Sequence, residues 1–159
     1  MSRYEIEQIG RVEAARLASQ DDFWGGSVLR ITLSESFGPD ALLGLDEFSH
    51  VEVIFLFDQV QTGKVVTGAR HPRNNQDWPQ VGIFAQRGKN RPNRLGTTIC
   101  SLLKVEGRSL LVAELDAING TPVIDLKPVM AEFLPRNEVR QPRWSVELMK
   151  AYWLKDPQR

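Results

Sequence analysis

The chain holds one cysteine and two histidines among 159 residues, and that scarcity removes several chemistries at once. Cys100, in the apolar run TTICSLL, has no second thiol with which to form an internal disulfide, and it reads as a small core residue. His50 and His71 lie in different segments, and no His, Cys and carboxylate cluster has the spacing of a metal site, so no metal is expected. No nucleophile elbow, P-loop or strand-led GxGxxG occurs, so Rossmann-type nucleotide binding has no fingerprint. No apolar stretch approaches the roughly twenty residues needed to span a bilayer. The N-terminus, MSRYEIEQIG, lacks the apolar centre of a signal peptide. The expectation is a cytoplasmic protein with no membrane partner.

Helical periodicity is scarce as well. The pattern that dominates is the period of two that marks strands. YEIEQIGRVEA alternates apolar and charged positions, and SVLRITLSE sets Leu29, Ile31 and Leu33 against Arg30 and Thr32. HVEVIFLFD is a continuous apolar run, expected as a strand covered on both faces. Further strands are expected at Val65–Ala69, Gln80–Ala85, Thr97–Val105, Ser109–Asp116 and Val123–Phe133, with turns at Glu106-Gly107, Asn119-Gly120 and residues 87–96. GPDALLGLDEF (38–48) suits a short helix with Pro39 at its first position. The tail RWSVELMKAYWLKD repeats apolar residues at helical spacing, with Trp144, Leu148 and Tyr152 on one stripe, and is expected as an amphipathic helix over about 144–154. Ser145 and Glu147 suit its first turn. Six to eight short strands without long helices between them predict a mainly β, antiparallel architecture, either a barrel or a sandwich. The length suits one domain over 1–159, with its core in 4–135.

Net charge is also absent, since twenty basic residues balance twenty acidic ones. The distribution is uneven. Residues 1–58 carry eleven acidic and four basic side chains, whereas residues 70–94 carry six basic side chains and one acid, Asp77. Arg87, Lys89, Arg91 and Arg94 crowd into the loop of GIFAQRGKNRPNRLG. Either these charges keep a glycine-broken connection solvated, or they meet a carboxylate or phosphate, which the guanidinium fork pairs bidentately. Two other stretches stand out. FSH (48–50) enters the most hydrophobic strand, and its histidine suits either a loop hydrogen bond or a site. ELDAINGTPVIDLKP (114–128) places Asp116 and Asp125 on either side of an Asn-Gly turn.

Taken together, GLDEFSHVEVIFLF, VGIFAQRGKNRPNRLG and LDAINGTPVIDLKP resemble the TsaA/TrmO-like (YaeB-like) family, in the family's order and at its spacing. The resemblance covers roughly residues 4–135. It implies a small β-barrel that binds S-adenosyl-L-methionine near a homodimer interface. It also implies methylation of the exocyclic nitrogen of threonylcarbamoyl-adenosine beside the tRNA anticodon. By motif position, the implied cofactor contacts are His50, Val51, Arg87, Thr97, and Asp116, Ala117, Ile118 and Asn119. Arg87 would pair with a carboxylate, and Asp116 would accept from ribose or ammonium. Lys89, Arg91, Asn93 and Arg94 would meet the RNA, with Arg70 and Arg73 on further phosphates. Asp116, Asp125 and His50 qualify as a general base by residue type, and a base is dispensable if water takes the product proton.

The sequence departs from the family pattern at several points. Arg94 replaces the proline of RPNPIG, Gln86 the threonine of FATR, and Val129 the tyrosine of DIKPY. SQDDFWGGS stands where relatives have a PRQ-like stretch that helps close the cofactor site. There Trp24 offers either a stacking surface or core filling. Other readings of the resemblance are a non-catalytic S-adenosylmethionine-binding regulator and a methyltransferase for a different substrate.

Overall fold

Alternation is strictest in SVLRITL, and there the chain forms β2 (Val28–Leu33), with Leu29, Ile31 and Leu33 buried and Arg30 and Thr32 half-exposed. In the computed structural model, which describes residues 1–158, β2 follows β1 (Gly10–Glu13) and precedes β3 (His50–Leu56). A small ribbon of β4 (Ala69–Arg70) and β5 (Val81–Gly82) comes next. Then come β6 (Leu95–Glu106), β7 (Ser109–Ala113), β8 (Pro122–Pro128) and one helix, α1 (Arg143–Met149). Six strands close into a barrel in the order β1-β2-β7-β6-β3-β8, and every pair within it is antiparallel. Closure removes the open sheet edges that a sandwich keeps.

The barrel interior is filled by one residue in two from each strand. Val12, Ile31, Val51, Val53, Phe55, Cys100, Leu110, Val112 and Val123 are each at most 1% exposed. Full burial of each large aliphatic contributes about 1.5–3 kcal/mol. The run in β3 is not covered on both faces as expected. Val51, Val53 and Phe55 point inward, while Glu52, Ile54 and Leu56 are half-buried and His50 is exposed. Closing the sheet supplies one dry interior, so the other face of β3 remains an outer surface.

Several expected elements are shorter. The first strand spans only Gly10–Glu13, and Tyr4 and Ile6 are exposed. Gly10 and Val12, not Ile6, face inward, and Gly10 sits so close to β2 that a Cβ would lie 2.5 Å from the Thr32 carbonyl oxygen. The 38–48 segment forms two 3-10 turns, Pro39–Leu42 and Leu45–Glu47, separated by Gly44 at φ 82°. The Asn119-Gly120 turn closes with Thr121 N donating to the Ile118 carbonyl at 3.2 Å. It does not make a hairpin, because β7 pairs with β2 and β6 whereas β8 pairs with β1 and β3. The tail helix ends at Met149, so Tyr152 and Trp153 lie in the turns after it.

Candidate functional site

β6 positions the charged residues, because neighbouring residues on a strand face opposite ways. Thr97 faces outward. Its Oγ1 donates to Glu52 Oε1 at 2.9 Å, and its carbonyl accepts from Arg87 Nη2 at 2.6 Å. Thr98 faces the other way, and its hydroxyl donates to Asp116 Oδ1. Two consecutive threonines thus hold a cation, Arg87, and a carboxylate, Asp116. Arg87 is exposed, so its remaining donors are open to a ligand.

Asp116 is half-buried in the connection from β7 to β8. Its Oδ2 accepts from the Tyr152 hydroxyl, which arrives from the turns after α1. Burial, then the Asp116 carboxylate, push the Tyr152 phenol well above its ordinary 10.0, while Arg87 and Arg73 pull it the other way. The phenol therefore remains a donor at neutral pH. Burial, then Asp116 and Glu114, push the Cys100 thiol from 9.0 up to about 12. That thiol is fully buried in the apolar core and directed at the carbonyls of Thr98 and Glu114, so it is not a nucleophile.

The expected cofactor contacts fall into three groups. His50, Arg87 and Thr97 present polar atoms on or beside the outer face of the β3–β6 pair, where His50 is exposed and sits opposite Ser101. The ring nitrogen Nδ1 of His50 is 2.7 Å from Ser49 Oγ. Asp116 is tethered to Thr98, the residue of β6 after Thr97. Val51, Ala117 and Ile118 are buried, so none presents its side chain to a ligand. Val51 lies in the ladder between β6 and β8, and the Ile118 carbonyl accepts from both the amide and the hydroxyl of Thr121. Asn119 is exposed but engaged: its Oδ1 accepts from Ala14 N at 3.1 Å and clasps the end of β1.

The basic loop is built differently from a free cationic turn. Arg91 Nη1 donates to the Gln86 carbonyl at 2.6 Å and Arg94 Nη1 to the Val60 carbonyl at 2.8 Å. Both arginines are half-buried. Asn93 and Arg94 adopt left-handed φ of 61° and 52°, while Asn93 is exposed. Lys89 is exposed and reaches Ser19 Oγ at 2.8 Å. Arg73 grips both Asp22 oxygens at 3.0 and 2.9 Å. Gln86 is buried, and its amide donates to the carbonyls of Arg70 (3.2 Å) and Val81 (2.9 Å), tying the β4–β5 ribbon together.

Trp24 fills the core, at 6% exposure, with the Arg16 guanidinium 4.0 Å from its ring centroid. That matches core filling and leaves no exposed stacking face. Asp125 is committed locally, since its Oδ1 accepts from Leu126 N at 2.9 Å and its Oδ2 pairs with Lys127 at 3.3 Å. Among the described residues, no group of His, Cys, Asp and Glu could hold a metal ion. Among those residues, too, no helix is long and apolar enough to cross a membrane.

Sequence reasoning missed Thr98 and Tyr152. Tyr152 was legible only as part of a packing stripe, and its bond to Asp116 joins residues 36 positions apart. The donor set suits S-adenosyl-L-methionine: a guanidinium for the carboxylate, and a half-buried carboxylate for hydroxyls or ammonium.

A family model described as the tRNA-methyltransferase O N-terminal domain matches residues 14–133. The curated tRNA (adenine(37)-N6)-methyltransferase of Homo sapiens is 37% identical over 102 residues, which are 64% of this chain and 23% of the human protein. The putative S-adenosylmethionine-dependent methyltransferase RcsF of Pseudomonas aeruginosa is 43% identical over 100 residues, 60% of this chain and 40% of that protein. The match thus spans less than half of either relative. A crystal structure of TrmO from P. aeruginosa superposes with a TM-score of 0.73 at 23% identity, covering 91% of this chain and 62% of that one. At that identity the likeness establishes the barrel fold.

Proposed function

Because the chain belongs to the family of the tRNA-methyltransferase O N-terminal domain, we propose that it is an S-adenosyl-L-methionine-dependent methyltransferase acting on tRNA. Within that reading the methyl acceptor is the exocyclic nitrogen of threonylcarbamoyl-adenosine beside the anticodon. The observation that carries the proposal is the tethering of Arg87 to the Thr97 carbonyl and of Asp116 to the Thr98 hydroxyl, which brings a cation and a carboxylate to one stretch of β6, both acting on the Tyr152 phenol. Names of relatives that include a tRNA methyltransferase and an S-adenosylmethionine-dependent enzyme support it.

Bound S-adenosyl-L-methionine supplies an electrophilic methyl group on a sulfonium. The protein's part is to bind and align. Arg87 holds a carboxylate, and Asp116 accepts from hydroxyls or ammonium. Holding donor and nucleophilic nitrogen in line supplies much of the acceleration, up to about 7–11 kcal/mol in well-oriented systems. The product proton leaves to water, so no side chain need act as base.

A second copy of the chain completes the outer group in this reading. Ile99 (46% exposed) and Leu103 (52%) belong to the same strand as Thr97 and Ser101, and leave apolar surface beside them.

The test is to incubate the protein and methyl-labelled cofactor with unmodified and with threonylcarbamoylated tRNA. Label on the second alone is the expected result. Label on the unmodified tRNA as well overturns the acceptor assignment. Cofactor binding without label on either tRNA favours a regulator or another acceptor.

A further inference from the structure

The C-terminal segment lies beyond the residues of the family match, 14–133, yet it ends on the site. Its docking is specific. The amides of Phe23, Trp24 and Gly25 donate to the carbonyls of Ala151 (3.2 Å), Tyr152 (2.8 Å) and Leu154 (3.1 Å), and Gly25 bridges to Lys155. The approach leaves no room for a side chain at position 25, where a Cβ would lie 2.0 Å from the Trp153 carbonyl oxygen. Two side-chain clasps hold the same assembly. The Trp78 indole N–H donates to Glu147 on α1 at 3.0 Å, and Arg73 grips Asp22 beside Phe23. SQDDFWGGS, which replaces the PRQ-like stretch, is thus the platform on which the tail lies.

We propose that Tyr152 is a positioning residue of the cofactor site, fixing through its hydroxyl the Asp116 carboxylate in the orientation that receives S-adenosyl-L-methionine. Residues 143–155 are thereby a working part of that site. The proposal rests on the reading of Asp116 as a cofactor contact. Each carboxylate oxygen has two lone-pair directions. Hydroxyls from Thr98 and Tyr152 take one on each oxygen, which fixes the rotamer and leaves one on each for a ligand. The tail's backbone bonds set where the hydroxyl lies, so Asp116 has its geometry before a ligand arrives, and preorganisation of this kind raises affinity.

The experiment is calorimetric titration of S-adenosyl-L-methionine into wild type, Tyr152→Phe, Asp116→Asn and the double variant. Tyr152→Phe removes one oxygen and keeps the ring that packs edge-on against Trp153 at 5.0 Å. It is expected to weaken binding about tenfold, the worth of one hydrogen bond to a charged group. In the Asp116→Asn background the same change should cost less than about twofold, because the partner it acts through is gone. Gly25→Ala, which dislodges the tail while leaving the chemistry of both side chains unaltered, should weaken binding in the same direction. A wild-type protein that binds no cofactor overturns the functional reading and this inference with it. Wild-type binding with an unchanged Tyr152→Phe overturns the inference alone. Tighter binding by Tyr152→Phe also overturns it, by showing that the phenol competes with the ligand. Equal losses in both backgrounds would assign the effect to packing instead.

Discussion

Arg91 and Arg94 show how a charged side chain can be structural. Each lends a guanidinium nitrogen to a main-chain carbonyl, and Arg94 does so from a left-handed conformation. Hydrogen bonds with a charged partner contribute about 1.5–3 kcal/mol. Arg91→Ala and Arg94→Ala are therefore each expected to lower stability by about 1–3 kcal/mol, read as a shift in the urea midpoint. Lys89→Ala, which removes an exposed contact to Ser19, should stay within about 0.5 kcal/mol of wild type. The proline that Arg94 replaces in the family pattern has no such donor, so the Val60 carbonyl gains its partner from this departure. Cys100 and Tyr152 give a second expectation. In the unfolded chain the thiol ionises near 9.0 and the phenol near 10.0, whereas in the folded protein both are pushed higher. The native state then holds more protons than the unfolded one, so stability falls as pH rises from 9.0 toward about 12. Urea midpoints across that window should decline, and Tyr152→Phe should decline less steeply. Equal slopes would place the loss at other groups.

Among the elements, β3 and β6 set the site, and their close packing depends on Gly96. A Cβ there would lie 2.6 Å from the Phe55 ring and 2.9 Å from that of Phe57. Those rings meet edge to face at 5.3 Å, so neither can yield without disturbing the other. Gly96→Ala should destabilise by about 1–3 kcal/mol, the usual cost of overpacking a filled core, read from the thermal midpoint. A change below about 0.5 kcal/mol would show that the rings give way. Strands such as β2 were legible because their inward and outward residues differ in chemistry as well as position. The strands expected at Val65–Ala69 and Gln80–Ala85 shrink to two residues each, Ala69–Arg70 and Val81–Gly82, since a ribbon that short has no period to set its bounds. The buried amide of Gln86 braces that backbone pair from the side. Of the site, Arg87, Asp116 and Thr97 were legible through ordered motifs. Thr98 was hidden because a threonine in a strand ordinarily reads as filling. Tyr152 was hidden because only the fold brings it to Asp116.

For the molecule as a whole, neutrality conceals a surface on which only part of the cationic charge is available. Arg73 is paired with Asp22, and Arg91 and Arg94 brace their own loop. Arg87 and Lys89 are the exposed cations of that loop, and with Arg87 read as the cofactor's partner, Lys89 is the one left for RNA. If tRNA docks there, affinity falls as salt rises, because each neutralised phosphate releases counterions with a slope of roughly 0.7–0.9 per contact. Lys89→Ala should flatten that slope by about one contact without loss of stability, measured by filter binding across salt concentrations. An unchanged slope would remove this lysine from the RNA interface.

Barrel closure has a temporal consequence. Arg11 on β1 donates to the Gly120 carbonyl, a bond that spans 109 positions, and Asn119 clasps Ala14 across 105. Closing so long a loop is slow, and barrels dominated by such pairings fold in milliseconds to seconds. On the ribosome, β1 and β3 emerge well before β8, the strand that separates them. Until β8 arrives, each nascent strand carries an unpaired edge able to recruit another chain. The step that seals those edges also brings Asp116 into place, so the growing chain is most prone to aggregate for as long as its site is unassembled.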